Sequence, residues 1–491
     1  MNLTKSFFID QHGCAKNQTD GELITGFLID AGYNQTFDAE KADLIIINSC
    51  GFIESAKKES IDAIYNVKAA YPNAKIILAG CLAERYSELM YDSIPELDGI
   101  IGNGDLSQIV QVVNNVFLNK REVFIAEQKG VMSGKRPVLF NFKGSAFVKI
   151  TEGCSNHCSF CAIPLIRGEL RSRPADEIIQ EITNLVKNGI YEINLIGQDL
   201  AAYGTGKDDN VFGDGITSLP KLNNEGENLG TDELSGLARL MKMICQIDGN
   251  FVVRLLYIHP DHFNYDILPI IKQNSRFLHY FDIPFQSGDD NVIKAMNRKG
   301  SSKSYVKMIQ KIREELPDCV IRTTFLTGFP GETESAHKNT CDFLKQIQSD
   351  WSGCFDYSRE EDTPAYSFKK RVSKKEAKKR ADELSQIQQG ITEERLKVFK
   401  NQEVLVLVEE VIDTQDDSTE GLAIGRSWFQ APEVDGCVVI RYEKDFESEV
   451  NAVKPGNVIK ANVLAINNVD LDARFISLEK SFESSLRFLP Q

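Results

Sequence analysis

Three cysteines, Cys154, Cys158 and Cys161, stand in the stretch Thr151-Glu-Gly-Cys-Ser-Asn-His-Cys-Ser-Phe-Cys161. The apolar run Ala146 to Ile150 just before them reads as a strand. A loop with C-x3-C-x2-C spacing can aim three thiolates at one soft metal centre, and thiolates select iron–sulfur clusters or zinc. A structural zinc would want a fourth ligand close by. His157 is flanked by the cysteines and poorly placed for that, and no further Cys or His follows until Cys245. Three ligands without a fourth predict an iron–sulfur cluster with one iron open to a small molecule. A zinc knuckle, or three unrelated buried thiols, is the other account.

At 491 residues the chain should hold about two to four domains. No apolar run reaches about 18 residues, so no membrane-spanning helix is expected. The first residues meet Asp10, Gln11 and His12 too early for a signal peptide. Eleven cysteines, an odd number, speak for reduced thiols or metal ligation in a cytoplasmic protein. The net charge of −15 argues against a chain held mainly by phosphate contacts. It favours a basic or neutral partner, unless it serves solubility alone.

Residues 1–135 alternate buried strand-like runs (Phe7 to Ile9, Leu44 to Ile47, Ile76 to Ala79) with helical patterns at Gly21 to Asp30 and Ser55 to Ala70. That alternation predicts a parallel α/β sheet. A cysteine follows each strand, in Gly13-Cys14-Ala-Lys-Asn, Asn48-Ser-Cys50-Gly-Phe and Gly80-Cys81-Leu. Ligands gather beyond the carboxyl ends of such strands. Singly, each cysteine reads as a small buried hydrophobe. Jointly, Cys14, Cys50 and Cys81 read as a second three-thiolate centre.

From residue 140 to 395 strand-like runs again alternate with helices. They end at Thr151 to Cys154, Ile196-Gly-Gln-Asp199, Tyr257-Ile-His-Pro260, Asp282-Ile-Pro-Phe-Gln286, Thr327-Gly-Phe-Pro-Gly-Glu332 and Asp356 to Glu360. Six such units predict an open, partial (β/α) barrel with its chemistry at one mouth. Gly328 and Gly331 suit a tight loop that lets backbone approach a ligand. Glu332 or Thr333 suits the cap of the next helix. Gln198, Asp199 and Gln286 offer hydrogen bonds to a ribose or an amino acid, and Arg322 and Arg167 can pair with a carboxylate. Each of these fits a cap, turn or ion pair as well as a cofactor contact. The polar run Gly204 to Ser235 reads as a surface insertion or a lid. Cys245, Cys319, Cys341, Cys354 and Cys437 are scattered and read as packing residues.

Ser373 to Lys400 is helical in pattern and reads as the connector. Beyond it, from 398 to 486, short strand-like runs (Val404 to Val408, Leu422 to Ile424, Val438 to Tyr442, Val458 to Ile466, Phe475 to Leu478) predict a small antiparallel β-barrel. Residues 401–491 hold 17 Asp plus Glu against 8 Lys plus Arg, a net −9 of the chain's −15.

The first cysteine stretch, with Ile163-Pro164 and Arg167-Gly168 after it, resembles the radical S-adenosylmethionine enzymes. The resemblance implies a [4Fe-4S] cluster whose open iron binds S-adenosylmethionine and an electron that cleaves it to a radical. The loops of Cys14, Cys50 and Cys81 resemble those of the methylthiotransferases, which implies a second [4Fe-4S] cluster that handles the inserted sulfur. Cys14-Ala-Lys-Asn, Cys50-Gly-Phe-Ile, Tyr257-Ile-His-Pro260 and Gly425 to Gly436 resemble the ribosomal-protein branch, and the last domain resembles a TRAM domain. Leu200-Ala-Ala202 replaces that family's threonines, and Ser287 stands where this branch often has histidine. The resemblance implies methylthiolation of an aspartate β-carbon in small-subunit ribosomal protein S-twelve. It also implies an electron donor, and an acidic TRAM domain that attracts a basic protein and repels transfer RNA. A transfer-RNA adenosine methylthiotransferase is the alternative within the family, and a non-catalytic ribosome-binding iron–sulfur protein the alternative outside it.

Overall fold

Leu44, Ile45, Ile46 and Ile47 are all fully buried. Side chains alternate across a strand, so Leu44 and Ile46 enter one hydrophobic core while Ile45 and Ile47 enter another. A strand apolar on both faces needs helices above and below it, which is the parallel α/β arrangement. The computed structural model describes residues 5–127, 129–130, 133–213, 234–413, 419–481 and 486–488. In its first unit, six parallel strands run in the spatial order Asn34–Gln35, Ser6–Gln11, Leu44–Ser49, Lys75–Gly80, Gly99–Ile101, Glu122–Phe124. The three predicted strands sit side by side in the middle. The other three are two or three residues long, too short to leave a periodic signal.

The second unit is an open sheet of six parallel strands in chain order: Ser145–Lys149, Glu192–Ile196, Val252–Leu255, Phe277–Asp282, Val320–Thr327 and Trp351–Asp356. Helices such as Ala175–Lys187, Ser302–Glu315 and Glu334–Ile347 return the chain between strands. The predicted partial (β/α) architecture is present. Thr333 caps its helix, accepting a bond from the Ala336 amide, so of the two proposed caps it is the threonine that acts. The helix Lys374–Leu396 packs along the last strand, where Gln388 bonds to the Ser349 and Asp350 carbonyls.

The third unit is a closed five-stranded barrel of Glu403–Ile412, Glu420–Arg426, Val438–Glu443, Asp470–Lys480 and Val458–Asn467. Its pairs are antiparallel except one: Val438–Glu443 runs parallel to Asp470–Lys480, which closes the barrel. Its connection from 427 to 437 folds against the (β/α) sheet rather than into solvent. Arg254 donates to the Trp428 carbonyl at 2.8 Å and Trp351 to the Phe429 carbonyl at 2.7 Å. Among the described residues no helix is long and apolar enough to cross a membrane. Most of the predicted insertion, residues 214–233, lies outside the described residues.

Candidate active site

Cys14, Cys50 and Cys81 follow three neighbouring strands of the first sheet. The spatial order reverses beside the strand of Cys14, which opens a crevice at the carboxyl edge. Cys14 is the N-cap of helix Ala15–Asp30, and Cys81 is the first residue of helix Cys81–Ser93. Both sulfurs therefore sit at the positive end of a helix dipole. Asn17 ties the loops together, its amide donating to the carbonyls of His12, Asn48 and Ser49. Gly51 permits a close approach: a Cβ there would lie 2.7 Å from the Cys81 carbonyl oxygen. Gly80, at φ +90°, turns the chain so that the helix starts on Cys81.

These three thiols sense one another's charge. Burial, reinforced by Cys81, pushes Cys50 up to about 12. Burial also raises Cys81, although Arg167 pulls the other way. At Cys14 burial is outweighed by Lys16 and Arg167, which hold the thiol below its ordinary value. Cys14 is exposed, yet protein surrounds it closely, so it lines a recess rather than the outer surface.

Cys154, Cys158 and Cys161 form the second set. Burial pushes Cys154 and Cys161 up to about 12, and Cys158 acts electrostatically on both. His157, at φ +49°, turns away to the exposed Glu169 and is no ligand candidate. The sets are joined by packing: Cys81 clusters with Ala162 and Ile166 of the segment that follows Cys161. They are joined also by charge. Arg167 donates to Cys81 Sγ at 3.3 Å, to Glu152 at 2.8 Å and to Asp20 at 2.9 Å. Lys149 pairs with the same two carboxylates.

The donor chemistry suits iron–sulfur clusters. Among the described residues, the side-chain groups whose ligand atoms all lie within 4.8 Å are Asp199–His259–His262 and His337–Cys341–Glu383. Neither cysteine trio is drawn that tight. One tetrahedral zinc would bring thiolates to about 3.8 Å of each other, given its Zn–S length, so the wider trios suit a multi-iron cluster. A small-molecule ligand has unsatisfied groups to meet as well: Gln198 Oε1 and Thr151 Oγ1 are buried at the sheet's carboxyl edge with no hydrogen-bond partner.

The other predicted residues divide. Gln198 reaches only a long 3.5 Å contact to Glu152. Gln286, at φ +70°, is half-buried, and its backbone bridges to the next strand through Thr324 and Leu326. Asp199 is fully engaged with protein. It accepts from Asn156 at 3.0 Å, His262 at 2.7 Å and the amides of Ala201 and His259, so it braces the cysteine loop. Arg322 is committed to Asp282 and to Asp435 of the small barrel. Gly328, at φ +75°, makes room for a helix: a Cβ there would lie 2.3 Å from Ala377 Cβ. The Gly331 amide donates to the Lys370 carbonyl. The two departures from the family pattern fall at packing positions. Leu200–Ala202 is a buried turn capped by Asp199, and Ser287 is buried against Thr340.

Sequence reasoning passed over Lys16, Asp20, Lys149 and Asp435. Lys16 was read only within Cys14-Ala-Lys-Asn; it and Asp20 lie in the first and second turns of the helix capped by Cys14. Asp435 was read only as part of a resembling stretch.

Comparison with known proteins covers the three units separately and the chain as a whole. Residues 6–102 match the family described as Uncharacterized protein family UPF0004, residues 148–344 the Radical SAM superfamily, and residues 402–476 the TRAM domain. The chain is 50% identical over 482 residues to a protein of Treponema denticola named ribosomal protein uS12 methylthiotransferase RimO, covering 95% of this chain and 99% of that one. A protein of the same name from Carboxydothermus hydrogenoformans is 34% identical, covering 96% and 99%. Among solved structures, the radical S-adenosylmethionine methyltransferase TsrM from Kitasatospora setae superposes with TM-score 0.50 at 14% identity, covering 74% of this chain and 75% of that one. That likeness is one of fold.

Proposed function

The chain belongs to the radical S-adenosylmethionine methylthiotransferases of the ribosomal protein uS12 family, and from that premise we propose that it adds a methylthio group to the β-carbon of an aspartate in uS12. The observation that carries this reading is the junction at Cys81. One thiol set packs on the segment that follows the other, and Arg167 touches both sides.

Cys154, Cys158 and Cys161 would hold the [4Fe-4S] cluster that binds S-adenosylmethionine, and Cys14, Cys50 and Cys81 the [4Fe-4S] cluster that handles sulfur. Bound there, these groups supply one-electron cleavage of S-adenosylmethionine and the sulfur for insertion. Gln198, whose buried oxygen has no partner, and Gln286 would offer polar atoms to the cofactor, and Asp199 holds Asn156 and the cysteine loop in place. Arg167 neutralises Asp20 and Glu152 and directs a further donor, from Nη2, to the Cys81 sulfur. An electron donor from outside the chain is required.

The segments 1–135, 140–395 and 398–486 divide the work into sulfur handling, radical generation and substrate holding. The last is net acidic, and Asp445, Phe446 and Glu447 stand exposed on it, which suits a basic ribosomal protein and disfavours transfer RNA. The setting is the cytoplasm, where the ribosome is found.

The test is mass spectrometry of uS12 and of digested transfer RNA from a deletion strain. Loss of the methylthio group from uS12 is expected. Its loss from RNA, with uS12 unchanged, would overturn the reading in favour of the adenosine enzyme. If the purified, anaerobically reconstituted protein releases no deoxyadenosine from S-adenosylmethionine and reductant, the non-catalytic alternative stands.

A further inference from the structure

Among the described residues, the buried cations nearest Lys16 each have a hydrogen-bonding partner. Lys149 and Arg167 share Asp20 and Glu152, and Arg322 holds Asp282 and Asp435. Lys16 is the exception. It lies one residue into the helix capped by Cys14 and is only 8% exposed. Its ammonium makes no hydrogen bond or ion pair among the described residues and rests 3.4 Å above the Tyr257 ring.

Tyr257 follows the third strand of the (β/α) sheet, with φ +69° and its amide bonded to Asp282. The ammonium thus crosses from the first unit onto the mouth of the second, within electrostatic reach of Cys14 on one side and Glu152 and Asp282 on the other. An aromatic face replaces only a fraction of the hydration an ammonium loses on burial. A buried cation with three donors and no acceptor is a place prepared for an anion. Asp282 and Glu152 are spoken for by guanidiniums and Lys149, and Lys16 acts on the Cys14 sulfur through charge without a hydrogen bond to it, so a carboxylate for its three donors would come from outside the chain.

We propose that Lys16 is the specificity residue for an acidic substrate side chain, receiving the carboxylate beside the carbon that is modified. This rests on the reading that the substrate is a protein aspartate and adds the residue that selects it. A carboxylate held over Tyr257 by Lys16 would lie on the side of Cys14, which both residues reach electrostatically. An amide side chain of the same shape carries no charge to offset the ammonium and is rejected.

The experiment uses reconstituted holoenzyme and two uS12 probes: the unaltered protein, and one whose modified aspartate, first located by mass spectrometry, is replaced by asparagine. Binding is read by calorimetry, alongside iron content and deoxyadenosine release without uS12. The unaltered enzyme should bind the aspartate form at least about tenfold tighter, the scale of one charge-assisted hydrogen bond. Lys16→Met should bind the two forms within about twofold, with iron content retained, and Lys16→Arg should recover part of the preference. If Lys16→Met still discriminates tenfold, or if it sheds the iron held near Cys14, the assignment falls, the second outcome making Lys16 a counter-charge for that centre. If the unaltered enzyme leaves uS12 unmodified, the functional reading itself has failed and the assignment fails with it.

Discussion

Arg167 Nη2 lies 3.3 Å from the sulfur of Cys81, a residue 86 positions earlier in the chain. Arg167 ends the short helix that follows Cys161, and Cys81 begins the helix that follows the third predicted strand. One guanidinium thereby ties the geometry of the two cysteine sets together. It is almost fully buried, and the carboxylates of Asp20 and Glu152, with the Cys81 and Cys14 sulfurs, overcome its desolvation and keep it charged.

Replacing Arg167 by Met should leave Asp20 and Glu152 sharing Lys149 alone. Removing one partner of a buried ion network costs about 3–5 kcal/mol. The expected outcome is a lower melting temperature together with loss of iron at Cys81. Thermal denaturation and iron analysis, repeated in a variant lacking Cys154, Cys158 and Cys161, separate the two effects.

Gly51→Ala should damage the first cysteine set and spare the second. The new Cβ would meet backbone atoms of Cys81 and Leu82 at 2.7–2.8 Å, so the loops carrying Cys50 and Cys81 must part. Iron content should fall by roughly half, one of two cubes, while deoxyadenosine formation persists. An unchanged iron content would show that these loops tolerate the separation.

Gly328→Ala distinguishes a packing glycine from a cofactor glycine. Its Cβ would stand 2.3 Å from Ala377 Cβ, and its backbone sits at φ +75°. Overpacking of this kind costs about 1–3 kcal/mol. Stability should drop, measured by denaturant titration, while S-adenosylmethionine affinity of the folded fraction stays within about twofold.

Glu192 makes the seam between the (β/α) sheet and the small barrel sensitive to acid. It is buried between Arg254 and Arg426. Burial alone would raise its pKa, but the two guanidiniums outweigh it and hold the carboxyl well below the usual range. The unfolded chain takes up a proton near the ordinary value of 4.5 while the folded one does not. The contribution of Glu192 is therefore complete above that pH and fades as pH falls below it. The melting-temperature gap between the unaltered protein and Glu192→Gln should be widest near neutrality and narrow below pH 4.5.

Strand runs such as Leu44 to Ile47, the C-x3-C-x2-C loop and a cysteine after each of three strands are local patterns. Periodicity and spacing, which depend only on near neighbours in the chain, were enough to read the three units and the two thiol sets. The same local view left Arg322 and Gly328 open between a cofactor contact and an ion pair or turn, because an arginine or a glycine after a strand looks alike whatever it meets. Which partner each one meets depends on register and on how the units dock. Arg322 finds Asp435 across 113 residues, Gly328 finds Ala377, and Lys16 finds an aromatic face and no anion. Burial makes those pairings energetically decisive, since an ion stripped of water must be matched by whatever the fold brings beside it. No spacing along the chain records that match.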